Sequence, residues 1–283
     1  MRYQIIYTIG GSVPIDIFND ESISFDKKIF SRLCVLHEEF FLKDPSLLEP
    51  YIALLYYKLL ENKVNVNFNG TIVCLGSRLD RSRYNSDSSA NFEVIHFMYP
   101  IGNVLHVNAL IVDRSRLTVF RFTPNGFETP YPTVTNQLKS FVSSTFPSFK
   151  LEEFPSTCFN LQSRFTCGQG ICGIYALYAV SLFLLNPTWT FEEVYRYIGT
   201  NIEYKMYRVF VKLIEILEDI VKENKNDINF KQPDVFKTFE AFEMYNRRMG
   251  RTVMFMIAAK MVIHPDERLN EMYDLAISLE SLY

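Results

Sequence analysis

From Ile174 to Leu185 the chain runs through twelve residues that are apolar apart from Ser181. That is the length of a buried core helix, and it falls well short of the ~20 residues needed to cross a bilayer. A helix so short of polar residues must be covered by other elements, so the chain has to wrap around it. A glycine-rich segment, Cys167-Gly-Gln-Gly170, feeds into this helix, and Cys172 stands where the turn becomes helical.

The chain has 283 residues, 48% of them hydrophobic and 22% charged. That is ample for a core and unlike a disordered protein. A formal charge of −3 and a pI near 5.9 give no support to general nucleic-acid binding. The 25 Phe and 17 Tyr are spread along the chain, not interleaved with basic residues as a stacking platform requires. The N-terminal MRYQIIYTIGGSVPID reads as neither a signal peptide nor a membrane span. Cys34, Cys74, Cys158, Cys167 and Cys172 are odd in number and irregularly spaced. They are expected as free thiols in a reducing, intracellular compartment. No histidine pair has metal-ligand spacing, and the Cys158–Cys172 cluster lacks a second Cys/His pair downstream. No metal or cofactor is expected.

Short patterns give the organisation. A strand is expected over Tyr3 to Ile9, an amphipathic helix over Asp26 to Phe41, with His37 on its polar face, and a second helix over Pro50 to Leu60. Thr71 to Leu75 is strand-like, and the polar run Gly76 to Asn91 reads as a surface loop. Strands follow at Phe92 to Tyr99, Leu105 to Val112 and Leu117 to Phe122, the last two joined by an Asp113-Arg-Ser-Arg116 hairpin turn. A helix over Val134 to Phe146, a strand over Phe149 to Phe154 and the Cys172 helix complete the middle. The remainder is helical in pattern, with breaks near Asn224 to Asp234 and near His264. The order describes an α+β fold. It divides as an N-terminal extension (1–91), a core (92–186) and a helical C-terminal region (187–283).

Cys172 has the best position for a nucleophile, because unpaired N–H groups and the positive end of a helix macrodipole stabilise a thiolate. Cys167 lies in the turn, without the dipole, and ranks second. A thiolate needs a base, usually histidine. His106 follows the Gly102-Asn103 loop at a strand start and would project from a sheet end. His96 lies in a strand interior and is weaker, and His37 and His264 occupy ordinary positions. Gln162, or alternatively Gln169, could bring an amide donor to a developing oxyanion.

Taken in order, His106-Val-Asn-Ala-Leu-Ile-Val-Asp113, Val119-Phe-Arg-Phe-Thr-Pro-Asn-Gly126, Leu161-Gln162 and Gly170-Ile-Cys-Gly-Ile-Tyr175 resemble the signature of adenovirus-type and SUMO-type cysteine proteases. The similarity is greatest to divergent members from large DNA viruses, and it covers about residues 92–186. It implies a papain-like core, a small and mostly antiparallel sheet packed on the Cys172 helix. It also implies a thiol endopeptidase, with Cys172 as nucleophile, His106 as base and Gln162 in the oxyanion site. The family's acid falls seventeen residues after the histidine, where this chain has Thr123. Thr123 or Asn125 would then orient the imidazole, with Glu128 or Asp113 as substitutes; Asp113 is discounted because it lies in the hairpin turn. The implied partner is a protein substrate, either a viral structural precursor or a ubiquitin-like modifier joined to another protein. The high Asn, Ile, Lys, Phe and Tyr content suits an AT-rich viral genome, hence an intracellular or virion-associated setting. A protease-like fold kept for a structural role is the alternative, favoured by Thr123 and the long helical C-terminus.

Overall fold

A computed structural model describes residues 14–38, 60, 63–84, 90–101, 104–124, 132–153, 171–224 and 255–264. The strand expected over 3–9 and all but the last residue of the helix over 50–60 lie outside them. The first helix, α1 (Lys27–His37), starts where Asp26 Oδ1 accepts the N–H groups of Lys28 and Ile29, an N-cap that satisfies two otherwise orphan donors. Six strands follow as β1 (Val66–Leu75), β2 (Arg78–Tyr84), β3 (Phe92–Ile101), β4 (Val104–Asp113), β5 (Thr118–Phe122) and, after helix α2 (Pro132–Thr145), β6 (Lys150–Glu153). Helices α3 (Cys172–Leu185), α4 (Phe191–Gly199), α5 (Ile202–Asn224) and α6 (255–263) complete the described chain.

The fold is α+β. The sheet has the order β2-β1-β3-β4-β5-β6. It is mixed: β1–β3 and β5–β6 are parallel, and the other three pairings are antiparallel. It crosses residue 91, since β1 and β2 belong to the same sheet as β3. The β4–β5 turn forms as expected, with Asp113 Oδ1 accepting from the N–H groups of Ser115 and Arg116 and from the Ser115 hydroxyl.

Strand β2 corrects one expectation. Residues 78–84, Arg-Leu-Asp-Arg-Ser-Arg-Tyr, read as loop because they lack apolar alternation, yet they pair with β1. Among the described residues β2 is a terminal strand, and charge on such an edge discourages pairing with other chains. Leu79 and Tyr84 are partly buried and pack against a cluster beneath α2.

Alternation along β4 sorts the two faces of the sheet. Val107, Ala109 and Ile111 join the large cluster around α3, whereas Leu110 and Val112 join the cluster under α2. Every residue of α3 is buried. Its Ser181 hydroxyl is satisfied by donating to the Leu177 carbonyl at 2.8 Å. At about 21 Å it is a core helix, and among the described residues no helix is long and apolar enough to cross a membrane.

The N-terminal segment is strapped across α3 by polar contacts. Asn186 Oδ1 accepts the Ile15 N–H at 2.8 Å and its Nδ2 donates to the Ile15 and Leu182 carbonyls. The Asp16 carboxylate accepts from the hydroxyls of Tyr178 (2.7 Å) and Tyr197 (2.8 Å). His37 corrects a second expectation. It is fully buried, edge-on to the rings of Phe210 and Phe255, because α5 and α6 cover the face that sequence assigned to water.

Burial pushes both His37 and His96 down to about 3. The unfolded chain would protonate them near 6.5, so it binds more protons than the fold below that pH. Stability from each is complete above about pH 6.5 and is lost as pH falls toward 3, at up to ~1.4 kcal/mol per pH unit per group. Urea midpoints measured from pH 7 to 4 should fall steeply in the parent and less steeply in His96→Met.

Candidate functional site

Cys172 is the first residue of α3, and the helix has no side-chain cap: Ile171 precedes it and offers no acceptor. Cys172 is buried, 2% exposed, in the cluster between α3 and the sheet. It accepts the Val107 N–H at 3.4 Å, and the N–H groups of Gly173 and of Cys172 itself also point at it. The Val107 contact has a topological cause. The β4–β5 ladder ends at the Ala109–Phe122 pair, two residues away. N–H groups alternate along a strand, so that of Val107 points where β5 would have continued. The thiol occupies that vacated edge.

His106 is therefore adjacent. Its Cα lies about 2.4 Å from the Val107 nitrogen by backbone geometry, so it is within about 6 Å of Cys172 Sγ. His106 pairs with Tyr99 across β3–β4 and stacks on its ring, with centroids 5.9 Å apart and planes 23° from parallel. The structure thus brings the backbone of His106, near the start of β4, close to Cys172 at the start of α3. His96 is wholly buried in β3, and Asp113 sits at the far end of β4, seven residues from His106.

The electrostatics depart from the simple helix-dipole picture. Burial pushes the Cys172 thiol up, and the three backbone N–H groups only partly oppose it. Burial pushes the half-buried His106 down. Desolvation penalises the charged form of each group, so the resting pair is neutral thiol and neutral imidazole. The expected resting thiolate is corrected: the dipole is present, but the apolar surroundings outweigh it.

Thr123 follows β5 and is buried, with its main chain clasped by a distant helix. Tyr195 Oη on α4 accepts the Thr123 N–H at 3.0 Å and donates to the Thr123 carbonyl at 2.8 Å. Extending the Ala109–Phe122 register by one residue sets Thr123 across from Asn108. Gln162, Gln169, Asn125, Glu128, Cys158 and Cys167 lie outside the described residues. Cys74 and Cys172 are free thiols, but Cys34 is disulfide-bonded, which corrects the expectation of five free cysteines. Among the described residues no group of His, Cys, Asp or Glu could hold a metal ion.

Sequence reasoning missed a polar row on the other face of the sheet. Arg121 is fully buried; its Nε donates to Asn108 Oδ1 at 2.9 Å and its Nη1 to Glu153 Oε1 at 2.7 Å. The available signal was an arginine between apolar strand neighbours, Val119-Phe-Arg-Phe122, because a charge buried in a sheet demands a partner. A cavity of about 820 Å³ between β5, β6 and the start of α4 is walled by Phe120, Phe183 and Trp189. It lies at the opposite end of α3 from Cys172, about 16 Å along the helix axis at Phe183.

Tyr195→Phe should leave the Thr123 N–H and carbonyl without their hydroxyl partner in a dry site. A loss of about 1–3 kcal/mol is expected, read from urea denaturation; an unchanged midpoint would mean that water replaces the hydroxyl. Comparisons with protein-family models, with characterised proteins and with solved structures find no match to this chain.

Proposed function

We propose that this chain is a cysteine hydrolase of the papain-like type, a thiol endopeptidase acting on protein substrates. The observation that carries the reading is a sulfur at a helix N-terminus that accepts the Val107 N–H, His106 being the residue before Val107 on the same strand. In this reading His106 takes the Cys172 proton as the sulfur attacks the scissile carbonyl carbon. It then returns the proton to the leaving amine, and water releases the acyl group from sulfur. The neutral resting pair fits proton transfer concerted with attack. The Cys172 N–H and, by the resemblance, the Gln162 amide stabilise the oxyanion. The substrates implied are viral structural precursors or ubiquitin-like modifiers joined to other proteins. The resemblance in residues 92–186 supports the assignment to the adenovirus-type and SUMO-type group.

A second reading has its own support. A thiol pushed up by burial, an imidazole pushed down and a threonine at the acid position suit a protease fold retained for a structural or virion-associated role.

A peptidyl vinyl sulfone incubated with the intact protein separates the two. Modification confined to Cys172 by peptide mass mapping, together with hydrolysis of quenched fluorescent peptides that Cys172→Ala abolishes, supports the enzyme. Modification spread over the other cysteines, or hydrolysis that survives Cys172→Ala, favours the structural reading. His106→Gln should slow labelling at pH 7 by about 10²-fold or more, the usual contribution of a general base. Gln162→Ala should lower kcat by about 10²–10³ while leaving KM nearly unchanged.

A further inference from the structure

Among the described residues the sheet ends at β6. Lys150 donates its N–H to the Leu117 carbonyl, on the β5 side. The N–H and C=O of one strand residue share a direction, and that direction reverses at the next residue. The main-chain groups of Leu151 and Glu153 therefore face away from β5, and among the described residues no strand takes them. An open row of this kind is a template for a further strand. The α3 face also leaves room beside it: Lys150, Glu152 and Phe120 border the cavity of about 820 Å³ together with Trp189 and Phe191.

The side chains of this edge form a self-complementary set. Lys150 and Glu152 share the α3 face by alternation, pair with each other, and are 66% and 44% exposed. Leu151 lies on the other face, partly buried against the cluster beneath α2. A second β6 strand can lie antiparallel to the first, across a two-fold axis that keeps both faces aligned, in one register for each residue at its centre. Centring on Lys150, Glu152 or Glu153 sets like charge against like, which is destabilising. Centring on Leu151 sets leucine against leucine and each Lys150 against the Glu152 of the other copy. The same centring turns the outward N–H and C=O of the two Leu151 residues toward each other, for two reciprocal hydrogen bonds. One register thus satisfies backbone and charge together. The opposite edge, β2, has three arginines against one aspartate in its seven residues and lacks this balance.

We propose that β6 is a homodimerisation edge: a second copy of this chain pairs antiparallel with it, centred on Leu151, and continues the sheet across a two-fold axis. The charges of Lys150 and Glu152 from the two copies then alternate in sign around that axis. The added strand lies about 4.8 Å beyond β6, along the side of the cavity that Lys150 and Glu152 border, and so close to Trp189. A four-residue strand makes a small interface, and the association is correspondingly weak and reversible. The proposal does not depend on the chemistry assigned to Cys172.

The test is sedimentation equilibrium of the intact chain from about 1 µM to about 1 mM, the range over which small interfaces dissociate. Emission from Trp189, the chain's single tryptophan, is followed over the same concentrations. The mass should rise from 33.1 kDa toward twice that value, and the emission should shift with it. Lys150→Glu and Glu152→Lys each set like charges opposite one another and should dimerise at least about 10-fold more weakly. Mixed in equal amounts, these two variants are complementary and should associate as the parent does. Leu151→Pro removes an outward N–H while sparing the bonds to β5, and should hold the chain monomeric with the parent's circular dichroism spectrum. Should it not fold, the two charge variants, at exposed positions, carry the test. A parent that stays at 33.1 kDa throughout, the result expected if β6 receives a different protein, overturns the proposal. So does a dimer that both charge variants leave equally strong, or one whose formation leaves the Trp189 emission unchanged.

Discussion

A helix without a polar face needs neighbours in every direction, and the arrangement around α3 follows from that need. All fourteen of its residues are buried. The β4 and β5 side chains Val107, Ala109, Ile111, Phe120 and Phe122 cover one side, and α1, α4, α5 and α6 supply the cluster that covers the others. Burying a Leu, Ile, Val or Phe side chain is worth about 1.5–3 kcal/mol, so this helix contributes heavily to hydrophobic stabilisation. The N-terminal strap held by Asn186 and Asp16 closes the same shell with hydrogen bonds, where apolar packing alone would not fix an irregular segment.

The same burial shapes the chemistry at its first turn. Placing Cys172 against the sheet gives its sulfur the Val107 N–H, a donor available only because β5 stops at Phe122. The dry surroundings that hold the helix in place also penalise the thiolate and the imidazolium. Geometry and charge state therefore have one origin. A sulfur buried so deeply meets backbone donors, and the same burial favours its protonated form.

Beneath the sheet, the Asn108–Arg121–Glu153 row makes the second face more than packing. Parallel pairing of β5 with β6 sets Glu153 beside Arg121, and antiparallel pairing of β4 with β5 sets Asn108 within reach of the same guanidinium. Three residues from three strands meet only because the registers agree. One of them sits two positions from His106 on its own strand.

The sequence by itself determined the elements whose signals are local. The apolar run from Cys172 to Leu185, the helix beginning near Asp26, the Asp113 turn and the Val- and Phe-rich strands were all legible, since each depends on neighbours a few residues away. The order of Cys172 and His106 and their positions at element ends were legible for the same reason. Tertiary structure alone decided the rest. It made an edge strand of Arg78–Tyr84, whose charged pattern carries no inward face, and it buried His37 under helices more than 170 residues away in sequence. It tied Thr123 to Tyr195 across 72 residues and it joined Asn108 to Arg121. Long-range register and burial set those contacts, and neither periodicity nor composition records which distant surface a side chain will meet.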